Sequence, residues 1–179
     1  MFVVEIFGAV SAQALSLLAD AIDFFGDAGN YLVTLLVLSA SGTRRASAAL
    51  LKGAVMAGFG FFICIQIVIH LQTGTVPEAL TMGLIGILAL IANLGVAAAL
   101  FRYRQGDANM RSVWLCSRND ALSNIAVVLA ALGVFGTQSA WPDLAVAGLM
   151  AALALSSAWS VIRQALTELR AESRKAVRR

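Results

Sequence analysis

Charge is what this 179-residue chain has least of: 13% of its residues are Asp, Glu, Lys or Arg, about half the share that a water-soluble domain carries. With 60% hydrophobic residues and a mean hydropathy of +0.84, water is not its main solvent. Proline is nearly absent, and both copies, Pro77 and Pro142, are expected in loops. There are two cysteines, Cys64 and Cys116, both inside apolar segments, so no disulfide framework is implied. A single histidine, no His-Glu-x-x-His run and no Ser/His arrangement leave no pattern for metalloprotease or serine-hydrolase chemistry. The opening MFVVEIFGAVSAQAL has no basic start and contains Glu5, which makes it a poor signal peptide and a better spanning helix.

What the chain does have is apolar runs. A helix needs about 20 mostly apolar residues to cross a bilayer, and six runs fit: 2–15, 17–40, 48–71, 79–102, 111–136 and 143–166, the first of them short. The expected fold class is therefore all-α, a polytopic membrane protein with six transmembrane helices. Residues 1–169 would form one membrane domain, with a truncated first helix, and 170–179 a basic cytoplasmic tail. Turn residues punctuate the breaks, among them Ser41-Gly42-Thr43 and Gln105-Gly106-Asp107.

Basic residues orient this arrangement. Arg44, Arg45 and Lys52 flank the second break, Arg102, Arg104 and Arg111 the fourth, and Arg163, Arg170, Arg174, Lys175, Arg178 and Arg179 the end. The other breaks have none, so the positive-inside bias puts both termini in the cytoplasm. These cations are read as topology signals, and no nucleic acid is expected as a partner. Compactness and short loops favour a prokaryotic cytoplasmic (inner) membrane.

Against this background the buried acids stand out. Asp20, Asp23 and Asp27 lie in the second run and Asp120 in the fifth, although an acidic residue at mid-membrane costs about 2.5–3.5 kcal/mol on insertion scales. Such groups must face the protein interior and be protonated, paired or bound to a cation. Arg118 is the one basic residue well inside a helix, and its spacing from Asp120 points it to another face. Residues four apart share a helix face, so Asp23 with Asp27, and Cys116 with Asp120, form two pairs able to converge on one ion. Three carboxylates and a thiolate suit a four-coordinate site, and sulfur favours zinc, cadmium or cobalt over magnesium, calcium or manganese. Both ligand types take up protons when the metal leaves. A faint internal echo, an offset of 93 residues between these pairs, fits two three-helix halves of opposite orientation.

The segments SLLADAIDFFGDAGNYL and NMRSVWLCSRNDALSN, with a last helix opening WPDLAVAGLMAALAL, resemble the cation diffusion facilitator (cation efflux) family of metal/proton antiporters. The likeness runs from about residue 5 to 169 and includes the six-helix order. It implies ligand positions at Asp23, Asp27 and Asp120, with Cys116 where the family usually has His or Asp, and a homodimer. The family's common C-terminal cytoplasmic domain is missing from this sequence, as in a short form. The expected function is export of a divalent transition metal ion, zinc foremost and also cadmium or cobalt, by proton antiport in a lipid bilayer. No prosthetic group is expected. Two further readings are a non-transporting metal-sensing or partner subunit and an intramembrane aspartyl hydrolase, the latter having no use for Cys116.

The remaining polar and small residues carry simpler expectations. Cys64 is a packing residue, and His70 lies near the membrane interface. Asp20 is expected toward the outer surface, at a helix start or vestibule. Asn30, Asn93 and Asn124 should form interhelical hydrogen bonds, and Gly53, Gly58, Gly60, Gly83 and Gly86 should let helices approach closely.

Overall fold

The computed structural model describes the backbone of residues 1–37, 42–103 and 108–177, and the side chains of these except 30, 31, 33–37, 103, 108–117, 172 and 174–177. Six α-helices make up the described chain: α1 (Phe2–Ala12), α2 (Leu15–Val37), α3 (Gly42–Thr73), α4 (Ala79–Leu100), α5 (Ala108–Thr137) and α6 (Trp141–Val177), with one 3₁₀ turn at Phe101–Tyr103. The six-helix order is as expected, but the boundaries move. α3 and α6, at 32 and 37 residues, run well past the apolar stretches, because polar helix formers such as Arg, Lys and Glu extend a helix into water without penalty. Residues 170–177 of the expected tail continue α6.

Four segments are long and apolar enough to cross a membrane: Gly42–Thr73, Ala79–Leu100, Arg118–Thr137 and Trp141–Ala171. Their outward faces carry exposed large apolar side chains such as Phe61, Ile91, Leu129 and Leu153, the surface a lipid-facing helix presents. The chain is an integral membrane protein. α2 is long enough at 23 residues but carries the three aspartates. α1, at 11 residues, spans only about 16 Å at 1.5 Å per residue.

One device ends α1, α3 and α5. Gln13, Gly74 and Gln138 adopt left-handed conformations, with φ of 52°, 66° and 52°, and each donates its N–H back four residues, to Ala9, His70 and Val134. Such a residue stops the helix and satisfies a terminal carbonyl. Glutamine is an uncommon occupant, which is why the first two runs were expected to end and begin later than they do. Only Gln13 and Ala14 separate α1 from α2. Pro142, expected in a loop, sits in the first turn of α6, where the missing N–H has no helical partner to lose.

α3 packs along α6, α4 along α5, and α1 against α2 and α4, while α2 touches α3, α5 and α6. Without a hydrophobic driving force between helices in lipid, close packing over small residues holds such pairs. Gly60 faces Leu155 and Gly53 faces Ile162 across the α3–α6 seam, and Gly86 seats against Val127 and Val128 of α5. Gly83 makes an ordinary contact with Ala131, but Gly58 faces open space, so its expected packing role is not found. Gly53 and Gly60 are seven residues apart and share a helix face, whereas Gly58, five from one and two from the other, is turned away from it.

The three helix pairs are tied at one end. The N–H of Glu78, before α4, donates to the Ala12 carbonyl of α1 at 2.8 Å. The Asp143 carboxylate, in the first turn of α6, accepts from the N–H groups of Leu15 and Ser16 at 2.8 and 2.9 Å. Asp143 is fully buried. A helix start leaves its first N–H groups without intrahelical partners, and here a carboxylate 127 and 128 residues away supplies them.

Candidate metal site

The Asp143 clamp sets the direction of every element around the site. It holds the N-terminus of α2 beside that of α6, and α5 ends at Thr137, a few residues before Trp141. α2 and α5 therefore run antiparallel. Their register is fixed by one buried hydrogen bond, from the Asn124 amide of α5 to the Asp20 carboxylate of α2. Asn124 in turn accepts from Asn93 of α4 at 2.8 Å. All three side chains are at most 4% exposed, so the chain Asn93–Asn124–Asp20 is a buried polar seam through three helices. The expected interhelical bonds of Asn93 and Asn124 are found; the side chain of Asn30 lies outside the described residues.

Register follows from that seam. Four residues back along α5, from Asn124 to Asp120, correspond to four residues forward along α2, from Asp20 to Phe24. This brings Asp120 to the stretch of α2 that carries Asp23 and Asp27, and of these two Asp27 acts on it the more strongly. One turn further back along the α5 backbone is position 116. The carboxylates of Asp23, Asp27 and Asp120 are near enough to repel one another, and Lys52 of α3 is within electrostatic reach of Asp27. Sequence reading took Lys52 as a topology signal alone.

The structure brings these sequence-chosen residues to one level but does not close them round an ion. Among the described residues no three His, Cys, Asp or Glu side chains form a metal-holding group. The side chain of Cys116 lies outside the described residues. Asp23 is exposed and Asp27 and Asp120 are half-buried, so this level is accessible. Toward the α2 N-terminus the interior is closed by Leu17, Met82 and Val127, each fully buried, with Ala9, Ala12, Ala130 and Ala131 around them.

Two acidic residues were misjudged from sequence. Asp20, expected at a helix start or outer vestibule, is 1% exposed: α1 packs back on α2 and Asn124 of α5 bonds its carboxylate, so distance from the helix start does not measure distance from water. Glu5, taken only as evidence against a signal peptide, is fully buried on α1 and within electrostatic range of Asp20 and Asp120. Among the other expectations, Cys64 is half-buried beside the Leu15, Ile63 and Leu144 cluster. The half-buried His70 ring nitrogen Nδ1 lies 3.0 Å from the Gln66 carbonyl near the end of α3. Arg118 is exposed and donates to Asn119.

The sequence profile of the cation efflux transmembrane domain matches residues 1–170. The chain belongs to that family. As a cation efflux domain it is similar to the metal cation efflux system protein CzcD of Cupriavidus metallidurans (strain ATCC 43123 / DSM 2839 / NBRC 102507 / CH34), 23% identical over 179 positions that cover 93% of this chain and 57% of the relative. The cation efflux system protein CzcD of Alcaligenes sp. (strain CT14) shows the same identity and coverage. This cation efflux domain thus spans a little over half the length of the curated relatives it matches. The family is one of transporters rather than enzymes.

Proposed function

We propose that this cation efflux domain is a secondary transporter that carries a divalent transition metal ion out of the cytoplasm, zinc foremost and cadmium or cobalt beside it, in exchange for protons. The observation that carries the reading is the antiparallel run of α2 and α5, joined by the Asn124–Asp20 bond, with the Asp23, Asp27 and Asp120 carboxylates near enough to repel one another. Asp23, Asp27, Asp120 and Cys116 are the proposed ligands. The relatives named for metal cation efflux support the class of cargo.

Physical chemistry supplies the rest of the cycle. Three carboxylates near enough to repel one another are stabilised by a divalent ion, and once the ion leaves they recover that stabilisation from protons. Accessibility at Asp23 and closure by Leu17, Met82 and Val127 toward the α2 N-terminus suit a site open on one side, as alternating access requires. With both termini in the cytoplasm, as the basic residues argue, that open side is cytoplasmic. The proposed setting is a prokaryotic inner membrane with a homodimer as the working unit, residues 1–169 being the membrane domain and 170–179 its basic extension.

The test is flux of zinc, cadmium and cobalt into proteoliposomes under an imposed pH gradient, for the native chain, Asp120→Ala and Cys116→Ser. Gradient-dependent flux that is lost in Asp120→Ala supports the antiporter. A changed metal ranking in Cys116→Ser supports the thiol as a ligand. Metal binding without flux in the native chain would refute transport and favour a sensing or partner subunit.

A further inference from the structure

Both carboxyl oxygens of Glu5 are buried with no hydrogen-bond partner among the described residues, and the residue is 0% exposed. The groups that face it are accounted for. Asp20 of α2 and Asp120 of α5 repel it, and the Met1 ammonium at the start of its own helix attracts it. Asp23 and Asp27 lie further along α2, and α4, which also packs on α1, contains no titratable residue. A carboxylate in an apolar interior with no hydrogen-bond donor, two acidic neighbours and only the Met1 ammonium to offset them is costly, and it persists by binding a cation or a proton.

The neighbours Glu5 and Asp20 are served unequally. Asn93 donates to Asn124 and Asn124 donates to Asp20, so a relay of amide N–H groups is aimed at the Asp20 carboxylate. Hydrogen bonds to the charged form favour it, and Glu5 receives none. One acidic group is thus equipped to hold negative charge and the adjacent one is not.

We propose that Glu5 and Asp20 form a proton-binding station of their own, with the proton on Glu5 and the hydrogen-bonded charge on Asp20, separate from Asp23, Asp27 and Asp120. Its part in a transport cycle rests on the export reading above. A divalent ion arriving level with Asp23 and Asp120 adds positive charge nearby and favours loss of the Glu5 proton; departure of the ion favours its return. The station thereby couples one proton to the ion without ligating it.

The chain contains four glutamates, Glu5, Glu78, Glu168 and Glu172, and among those whose side chains are described Glu5 alone lies in the apolar interior. Carbon-13 labelling of glutamate therefore isolates it in the infrared spectrum. The metal-free native chain in phosphatidylcholine liposomes at neutral pH should show an isotope-shifted carboxylic-acid C=O band, absent from Glu5→Gln. No isotope-sensitive acid band, or one that survives Glu5→Gln, overturns the station. Calorimetry of zinc binding in two buffers of different ionisation enthalpy then counts released protons: one fewer per zinc in Glu5→Gln supports the coupling, and an unchanged count overturns it. An acid band without metal flux leaves the station standing while the export reading fails; flux without the band does the reverse.

Discussion

Replacing Asp143 by alanine removes both acceptors that hold the first turn of α2. The Leu15 and Ser16 N–H groups, bonded at 2.8 and 2.9 Å to a fully buried carboxylate, would be left without partners in an apolar setting. Loss of an N-terminal cap costs about 0.5–2 kcal/mol, and each stranded buried donor about 1–3 kcal/mol. These overlap, since the cap acts through the same bonds, and the expected loss is about 2–4 kcal/mol. About 3 kcal/mol is roughly a hundredfold in the folding equilibrium. Asp143→Asn keeps one acceptor but turns an amide N–H toward the other donor, so it should fall between alanine and the native residue. The assay is reversible unfolding in mixed micelles followed by helical circular dichroism, with amide exchange at Leu15 and Ser16 as the local readout. An alanine variant within about 0.5 kcal/mol of native, the range of an ordinary surface substitution, with exchange at Ser16 unaltered, would refute the clamp.

Other perturbations test the packing, the polar seam and a loop carboxylate. In Gly60→Ala the new Cβ would come within 2.7 Å of Leu155 Cγ, so the α3–α6 pair should lose about 1–3 kcal/mol to overpacking, whereas Gly58→Ala, which meets nothing, should be neutral or stabilising by up to about 1 kcal/mol; the same micelle titration separates them, and equal effects would contradict the seam. Asn124→Leu removes the donor to Asp20 and the acceptor for Asn93 together, with an expected loss of about 2–3 kcal/mol, while Asn93→Leu spares the Asp20 bond and should cost less. Glu78, exposed at the start of α4, accepts from the Thr81 N–H at 2.9 Å, which holds its carboxyl below the usual glutamate range. Its contribution is therefore fully present above the unfolded-chain value and lost as pH falls through the lower folded value. The protection of the Thr81 amide, its exchange rate taken relative to an unstructured amide at the same pH, should fall on acidification only there, and Glu78→Gln should flatten that dependence.

Much of the architecture was legible because its causes are local. Apolar runs, breaks and the alternation of Arg and Lys between loops record six helices directly, and the four-residue spacing of Asp23 with Asp27 and of Cys116 with Asp120 records shared helix faces. Long-range contacts were not legible. Asp143 reads as the polar edge of a last helix, since nothing near it in sequence discloses that its acceptors serve Leu15 and Ser16. Glu5 reads as an anomaly in a signal-like stretch until α2 and α4 are packed on it. Gly58 and Gly60 are two residues apart on one helix, and only the rotation of α3 against α6 tells which of them meets Leu155. The same limit explains Asp20. One partial signal existed: Asn93, Asn124 and Asp20 are strongly polar residues in apolar runs, and such residues seek one another.

The clamp at Asp143 also bears on how the chain is made. The first turn of α2 is completed by a residue that leaves the ribosome 127 residues after Ser16. Until α6 enters the membrane, α2 must wait with three aspartates and bare amide groups. Biogenesis then has a natural checkpoint: a chain arrested before Trp141 should remain loosely assembled and open to membrane proteases, and arrival of the last helix would act as a latch that marks the bundle as finished.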